Sequence, residues 1–162
     1  MAHVQVATPV SQSFHSPRFV EVRNSLPSHV ELISPFVDQL MRFISRFRVS
    51  DGDNSEIELA LREALVNAIV HGNQHDPHKR VYVKCRCTAD GEVSLTVEDE
   101  GHGFENHPVR DASSSDHRLR IRGRGMYLIT ALMDEVDFER GGSVVHMRKR
   151  ATVSADTARK PQ

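Results

Sequence analysis

The chain has no tryptophan, only two tyrosines and two cysteines, and no apolar run approaching a membrane span. A bilayer-crossing helix needs about 20 consecutive apolar residues, so no membrane insertion is expected. Nothing before Arg18, the first basic residue, reads as a secretory leader, and a cytoplasmic protein is expected. Cys85 and Cys87 stand at alternate positions of a strand-like run, share one face, and cannot form a disulfide framework. They read as reduced strand residues. Neither sign of charge dominates: 21 basic side chains face 22 acidic ones, at a pI near 6.8. Such a balance supplies no global field to hold nucleic acid or an anionic membrane. The 162 residues suit one domain, able to bury roughly 70% of its unfolded surface.

Residues 1–16 and 151–162 are polar, with little apolar pattern, and are expected to be mobile tails flanking a single domain over 17–150. Within it, Arg18–Arg23 alternates weakly as a strand, and Asn24–Ser28 supplies a turn and a helix start. A helix to about Arg48 follows, its apolar face carrying Val30, Ile33, Phe36, Val37, Leu40, Phe43, Ile44 and Phe47. Asp51–Ser55 ends that helix and caps the next. Val81–Cys87 and Val93–Val97 alternate around an Asp90-Gly91 turn and read as an antiparallel hairpin. A polar stretch follows to Arg122, too long for a mere connector. A short helix from about Arg124 to Met133 and a final hairpin, Glu135–Phe138 and Val144–Met147, complete the order. Together these elements predict an α+β two-layer sandwich, with helices on one face of a mixed, mostly antiparallel sheet.

The second helix, Ser55–Val70, carries the first chemical signal. Ile57, Ala60, Leu61, Ala64, Leu65, Ala68 and Ile69 recur at helical spacing, and Leu59, Val66 and Val70 cover the other side, which predicts a helix apolar nearly all round and buried. Glu63 and Asn67, four residues apart, lie a turn apart on that second side. A buried carboxylate without a partner is expensive, so the pair faces a pocket, a metal or water. The alternative is a helical Glu paired with a neighbouring Arg, and an Asn bonded to a loop.

Glu63-Ala-Leu-Val-Asn67-Ala with His71-Gly-Asn73, Asp76-Pro77, Asp99-Glu-Gly101-His-Gly103-Phe104, and Gly123-Arg-Gly125-Met126-Tyr-Leu-Ile129 running into Met133-Asp-Glu-Val136 occur in that order. In these segments the sequence resembles the GHKL ATP-binding superfamily, and within it the small anti-sigma-factor serine/threonine kinases of bacterial stress-response and sporulation switches, over roughly residues 18–150. The resemblance implies a Bergerat-type fold that binds Mg-ATP. It implies Asn67 as the Mg²⁺ ligand, a hard side-chain oxygen of the kind Mg²⁺ takes while keeping several waters and bridging phosphates. It implies Asp99 as acceptor for the adenine amino group. Gly101 and Gly103 would let the backbone approach the nucleotide, Gly123 and Gly125 would set free N–H groups of a helix start against the phosphates, and Arg124 and Met126 would be further ATP-binding positions. Ser143 stands where the family often has Thr beside the base. Glu105–Arg122 would be the ATP lid, with Arg118, Arg120, Arg122 and Arg124 available to phosphate charge.

The same resemblance implies Glu63 as general base toward a partner's Ser or Thr hydroxyl. Its partners would be a sigma factor, which it sequesters, and a STAS-type anti-sigma antagonist, which it phosphorylates, with a homodimer formed through the region around the first helix and no direct contact with nucleic acid. Phe36, Phe43 and Phe47 serve either that interface or the core. Two other functions stay open: an ATP-gated binder with little or no transfer, and a detached histidine-kinase catalytic domain. Against the last, no helix pair bearing an acceptor His precedes the ATP motifs. A metal held by His71, His75 and His78 is the weaker reading of those histidines, because Gly72 and Asp76-Pro77 disturb the helix there. A Rossmann reading of the glycines fails, since Gly101 and Gly103 open no helix and Gly123-Arg-Gly125 lacks a third glycine.

Overall fold

A computed structural model describes residues 5–6, 19–47, 54–103 and 117–151, with the backbone alone for 5–6 and 117–123. The elements are β1 (Gln5–Val6), β2 (Phe19–Pro27), α1 (Ile33–Ile44), α2 (Ser55–Val66), β3 (Arg80–Thr88), β4 (Val93–Asp99), α3 (His117–Leu132), β5 (Glu135–Glu139) and β6 (Val144–Lys149). One six-stranded sheet has the order β1-β2-β3-β4-β6-β5. Every pairing in it is antiparallel, so the expected admixture of parallel strands is absent among the described residues. Two residues of the expected N-terminal tail, Gln5 and Val6, pair with Arg23 and Val22 at the sheet edge. β2 extends through the Asn24–Pro27 segment that reads as a turn, because Asn24, Ser25 and Leu26 continue the register opposite Val83, Tyr82 and Val81.

The period of two in β3 and β4 decides which face is covered. Val81, Val83, Cys85 and Cys87, with Val93, Leu95 and Val97, are buried against the helices, whereas Tyr82 and Arg86 point to the open face. The next inward position after Val97 is Asp99, so alternation carries a carboxylate to the helix side at the very end of an apolar strand. The register stays tight at the turn, where Gly91 takes φ 89°, a left-handed conformation that a side chain would strain. Cys85 and Cys87 are both free and buried, with their sulfurs 3.9 Å apart. The contact with Cys87, together with burial, pushes the Cys85 thiol up, which keeps it protonated.

The helical layer builds the core. Ile57, Ala60, Leu61, Ala64, Leu65, Ala68 and Ile69 of the second helix are all buried, Leu61, Leu65 and Ile69 completely. A fully buried Leu or Ile contributes about 1.5–3 kcal/mol. The opposite side departs from expectation: Leu59 is 41% and Val66 36% exposed. The helix is thus one-sided, because neither α1 nor α3 covers its outer stripe. Phe36 lies in the core; Phe43 and Phe47, half-buried, pack against that core, their own ring centroids 5.2 Å apart. Asn54 is the cap residue of α2, yet only its backbone carbonyl takes part, accepting the Glu58 N–H at 2.9 Å; its side chain makes no cap bond.

Candidate functional site

After Val66 the helix does not stop but widens into a π-helical turn, Asn67–Gly72. Such turns are rare and concentrate at functional sites. This one ends beside β4. Gly72 is the reason the two can meet: a Cβ there would stand 2.3 Å from the Asp99 carboxyl carbon and 2.4 Å from Oδ2. Gly72 does more than disturb a helix end: its missing side chain is the seat of Asp99.

Asp99 is 8% exposed. Its N–H donates to the Ser143 carbonyl at 2.9 Å, and its Oδ1 accepts the Gly101 N–H at 2.8 Å. The second bond closes a turn over two residues, which aims the side chain back at the helix end. Gly101 is held as closely, since a Cβ there would meet the Gly72 carbonyl oxygen at 2.4 Å. Gly103 has φ 70°, and its α-carbon abuts the Arg140 and Gly141 carbonyls. Ser143 is buried and its hydroxyl donates to the Arg140 carbonyl at 3.1 Å. Asp99, Gly101, Gly103 and Ser143 therefore converge, with Arg140 and Gly141 as neighbours that no motif signals.

Glu63 and Asn67 form a second group, on the adjoining side of the same helix. Both are half-buried and both face Gly125 of α3. A Cβ at Gly125 would lie 3.1 Å from the Glu63 carboxylate, and 3.1 and 3.2 Å from the two ends of the Asn67 amide. The alternative reading, a Glu63 neutralised by an arginine, is not realised among the described residues. The adjacent Arg62 is engaged elsewhere, with Glu58, Asp38 and Ser34.

The helix expected from Arg124 begins at His117. Gly123 and Gly125 consequently lie in its interior, where backbone N–H groups belong to the helical ladder, and the expectation of free N–H groups of a helix start at these glycines is corrected. Glycine costs about 1 kcal/mol inside a helix, and at position 125 the close approach to Glu63 and Asn67 is what the missing Cβ permits. Arg124 is exposed and Met126 half-buried. The lid segment Glu105–Arg122 falls outside the described residues up to 116, and its remainder is helical backbone. The surroundings of Arg118, Arg120, Arg122 and Gly123 are likewise outside them. No group of three or more His, Cys, Asp or Glu is arranged to hold a metal among the described residues.

The donor set suits a magnesium nucleotide. One amide oxygen is enough protein ligation for an ion that keeps most of its waters and binds through phosphates, and the seat at Gly125 leaves the Asn67 amide free of backbone obstruction. An acceptor held by the Gly101 N–H beside Gly72 is the kind of group an exocyclic amine requires.

Residues 26–149 match the family model described as a histidine kinase-like ATPase domain. The anti-sigma F factor of Oceanobacillus iheyensis is 31% identical over 118 residues, spanning 69% of this chain and 80% of that protein. The serine-protein kinase RsbW of Staphylococcus epidermidis is 29% identical over 139 residues, spanning 81% and 86%. Among solved structures, the RsbU and RsbW domains of a Mycobacterium tuberculosis protein superpose with a TM-score of 0.59 at 20% identity, over 83% of this chain and 33% of that longer one. At that identity the likeness speaks for the fold.

Proposed function

The chain belongs to the histidine kinase-like ATPase family, in its anti-sigma serine-kinase branch, and on that premise we propose that it binds Mg-ATP, sequesters a sigma factor and phosphorylates a Ser or Thr of a STAS-type antagonist. The observation that carries the proposal is the pairing of Glu63 with Asn67 around Gly125, one helical turn from the seat of Asp99 on Gly72. Glu63 and Asn67 thus sit beside Gly125 and Asp99 beside Gly72, which supports giving them the roles of proton acceptor, metal ligand and base acceptor.

ATP supplies the phosphoryl group; the acceptor oxygen bonds to the γ-phosphorus as the bond to the bridging oxygen breaks and ADP leaves. Glu63 takes the hydroxyl proton in that step. Phosphoryl transfer rests mostly on positioning and charge neutralisation, so a single carboxylate suffices. Asn67 holds Mg²⁺, and Asp99 accepts from the adenine amino group with Gly101, Gly103 and Ser143 around the base. Gly123, Arg124, Gly125 and Met126 line the phosphate side. We further infer a cytoplasmic homodimer without direct nucleic-acid contact; no described helix is long and apolar enough to cross a membrane.

Calorimetry of Mg-ATP binding, on the unaltered protein and on Asp99→Asn, tests the first half. Incubation of the same samples with labelled ATP and a candidate STAS-domain partner tests the second. Micromolar binding that the substitution abolishes, with label on a partner Ser or Thr, is the expected result. Binding without transfer would leave an ATP-gated binder; no binding would end the proposal.

A further inference from the structure

Asn73 follows the π-turn and is fully buried, 0% exposed. Its backbone N–H closes the turn by donating to the Ala68 carbonyl at 2.7 Å. Its side chain is saturated with bonds to three other segments. Nδ2 donates to Ser28 Oγ at 2.8 Å and to the Arg80 carbonyl at 2.8 Å. Oδ1 accepts the Glu100 N–H at 2.9 Å. Ser28 is itself fixed, its hydroxyl donating to the Lys79 carbonyl at 2.9 Å. One amide thereby ties the end of β2, the start of β3 and the residue after Asp99 to the end of the helix that bears Glu63 and Asn67.

Glu100 sits inside the turn that Asp99 closes with Gly101. Asp99 is held on its N-terminal side by the Ser143 carbonyl, and the next peptide is held by Asn73. Between these two clamps the backbone at 99–100 has little freedom to rotate, and the carboxylate direction follows the backbone. The Glu100 carboxylate turns to β3, accepting the Arg80 N–H at 2.7 Å and the Tyr82 hydroxyl at 3.0 Å.

We propose that Asn73 is the positioning residue of the base pocket: through the Glu100 N–H it sets the direction of the Asp99 carboxylate and with it the preference for adenine over guanine. The inference rests on the reading of Asp99 as the adenine acceptor. It concerns selectivity and geometry, since Asn73 itself touches no substrate.

The test uses the full chain, with Asn73→Ala and the milder Ser28→Ala, which removes only one of the two Nδ2 acceptors. Two quantities are read: the ratio of GTP to ATP dissociation constants by competition with a fluorescent ATP analogue, and hydrogen exchange of the Glu100 amide without nucleotide. Loss of one hydrogen bond corresponds to about a tenfold change. Expected is a selectivity ratio reduced about tenfold in Asn73→Ala and less in Ser28→Ala, with Glu100 exchange faster in the same order. A merely structural role would lower the melting temperature and leave the ratio unchanged, which overturns the proposal. Should Asn73→Ala fail to fold, Ser28→Ala decides alone by the same two readings. If the unaltered protein binds no ATP, the kinase reading falls and this inference with it; if it binds ATP and both variants keep its ratio, only this inference falls.

Discussion

Two glycines act by what they leave out. At Gly72 a methyl group would press on the Asp99 carboxylate at 2.3–2.5 Å, a distance real side chains do not tolerate, so Asp99 must swing away or the turn must open. Gly72→Ala is expected to lose at least about tenfold in ATP affinity and about 1–3 kcal/mol in stability, as overpacking does, read by calorimetry and by denaturant titration. At Gly125 the crowding is gentler, 3.1–3.2 Å against two flexible side-chain ends. Gly125→Ala should therefore remain folded and gain helix propensity, while displacing Glu63 and Asn67 and slowing transfer more than it weakens nucleotide binding. The division of roles is checked by a second pair. Glu63→Gln keeps nucleotide and loses transfer, whereas Asn67→Ala loses the Mg²⁺-dependent part of binding; equal losses of affinity in both would contradict it.

At the scale of the element, the second helix serves packing and chemistry from different sides. Its inner stripe locks it to the sheet, so Leu65→Ala is expected to cost about 2–5 kcal/mol, measured by chemical unfolding. Its outer stripe, Leu59 and Val66, is exposed, and Leu59→Ala should change stability by less than about 1 kcal/mol. The π-turn at its end supplies the reach: it brings Gly72 under Asp99 while leaving Asn73 free to bond to β3 and to Glu100, just past β4. The helix runs past the expected break at its start as well, in α3, where close contact between helices outweighs the glycine penalty. Sequence signals of glycine are ambiguous in this respect, because a break and a close approach use the same residue.

Across the whole molecule, the C-terminal strand is fastened to the helical layer by charge. Lys149 pairs with Glu56 at 2.5 Å and with Asp134 at 3.6 Å, and it donates to the Leu132 carbonyl. The hydrogen bond to Glu56 raises the lysine above its ordinary range. Stability from this group is complete below its unfolded pKa and is lost as pH rises through the higher folded value. Asp134 has the opposite sign: the Arg150 N–H bonded to its carboxylate at 2.7 Å holds it below the usual range. Its contribution is complete above the unfolded value, about pH 4, and is lost as pH falls through the lower folded one. Melting temperature against pH should thus fall at both ends, with Lys149→Met flattening the alkaline limb and Asp134→Asn the acid limb. Lys149 is mostly shielded and Asp134 partly exposed, so the acid-limb effect in particular is small and shrinks with added salt.

Much of the fold was legible because it follows from period alone. Alternation in Val81–Cys87 and Val93–Val97 fixed two strands and their shared buried face, and the 3.6-residue stripe in Ser55–Ile69 fixed the helix that covers them. The order of the short motifs around Glu63, Asn67, Asp99 and the glycines pointed to ATP through the family resemblance they carry. What local pattern does not encode is how close two segments come. Whether Gly72 loosens a helix or seats a carboxylate depends on β4, and whether Leu59 and Val66 are covered depends on where α1 and α3 lie. Asn73 illustrates the same limit: an amide after a helix end is unremarkable until Ser28, Arg80 and Glu100, distant in the chain, meet around it. Residue types and periods are properties of the chain, whereas the seat of Asp99 and the clamp on its turn arise from contacts between segments far apart in sequence, which only packing in three dimensions creates.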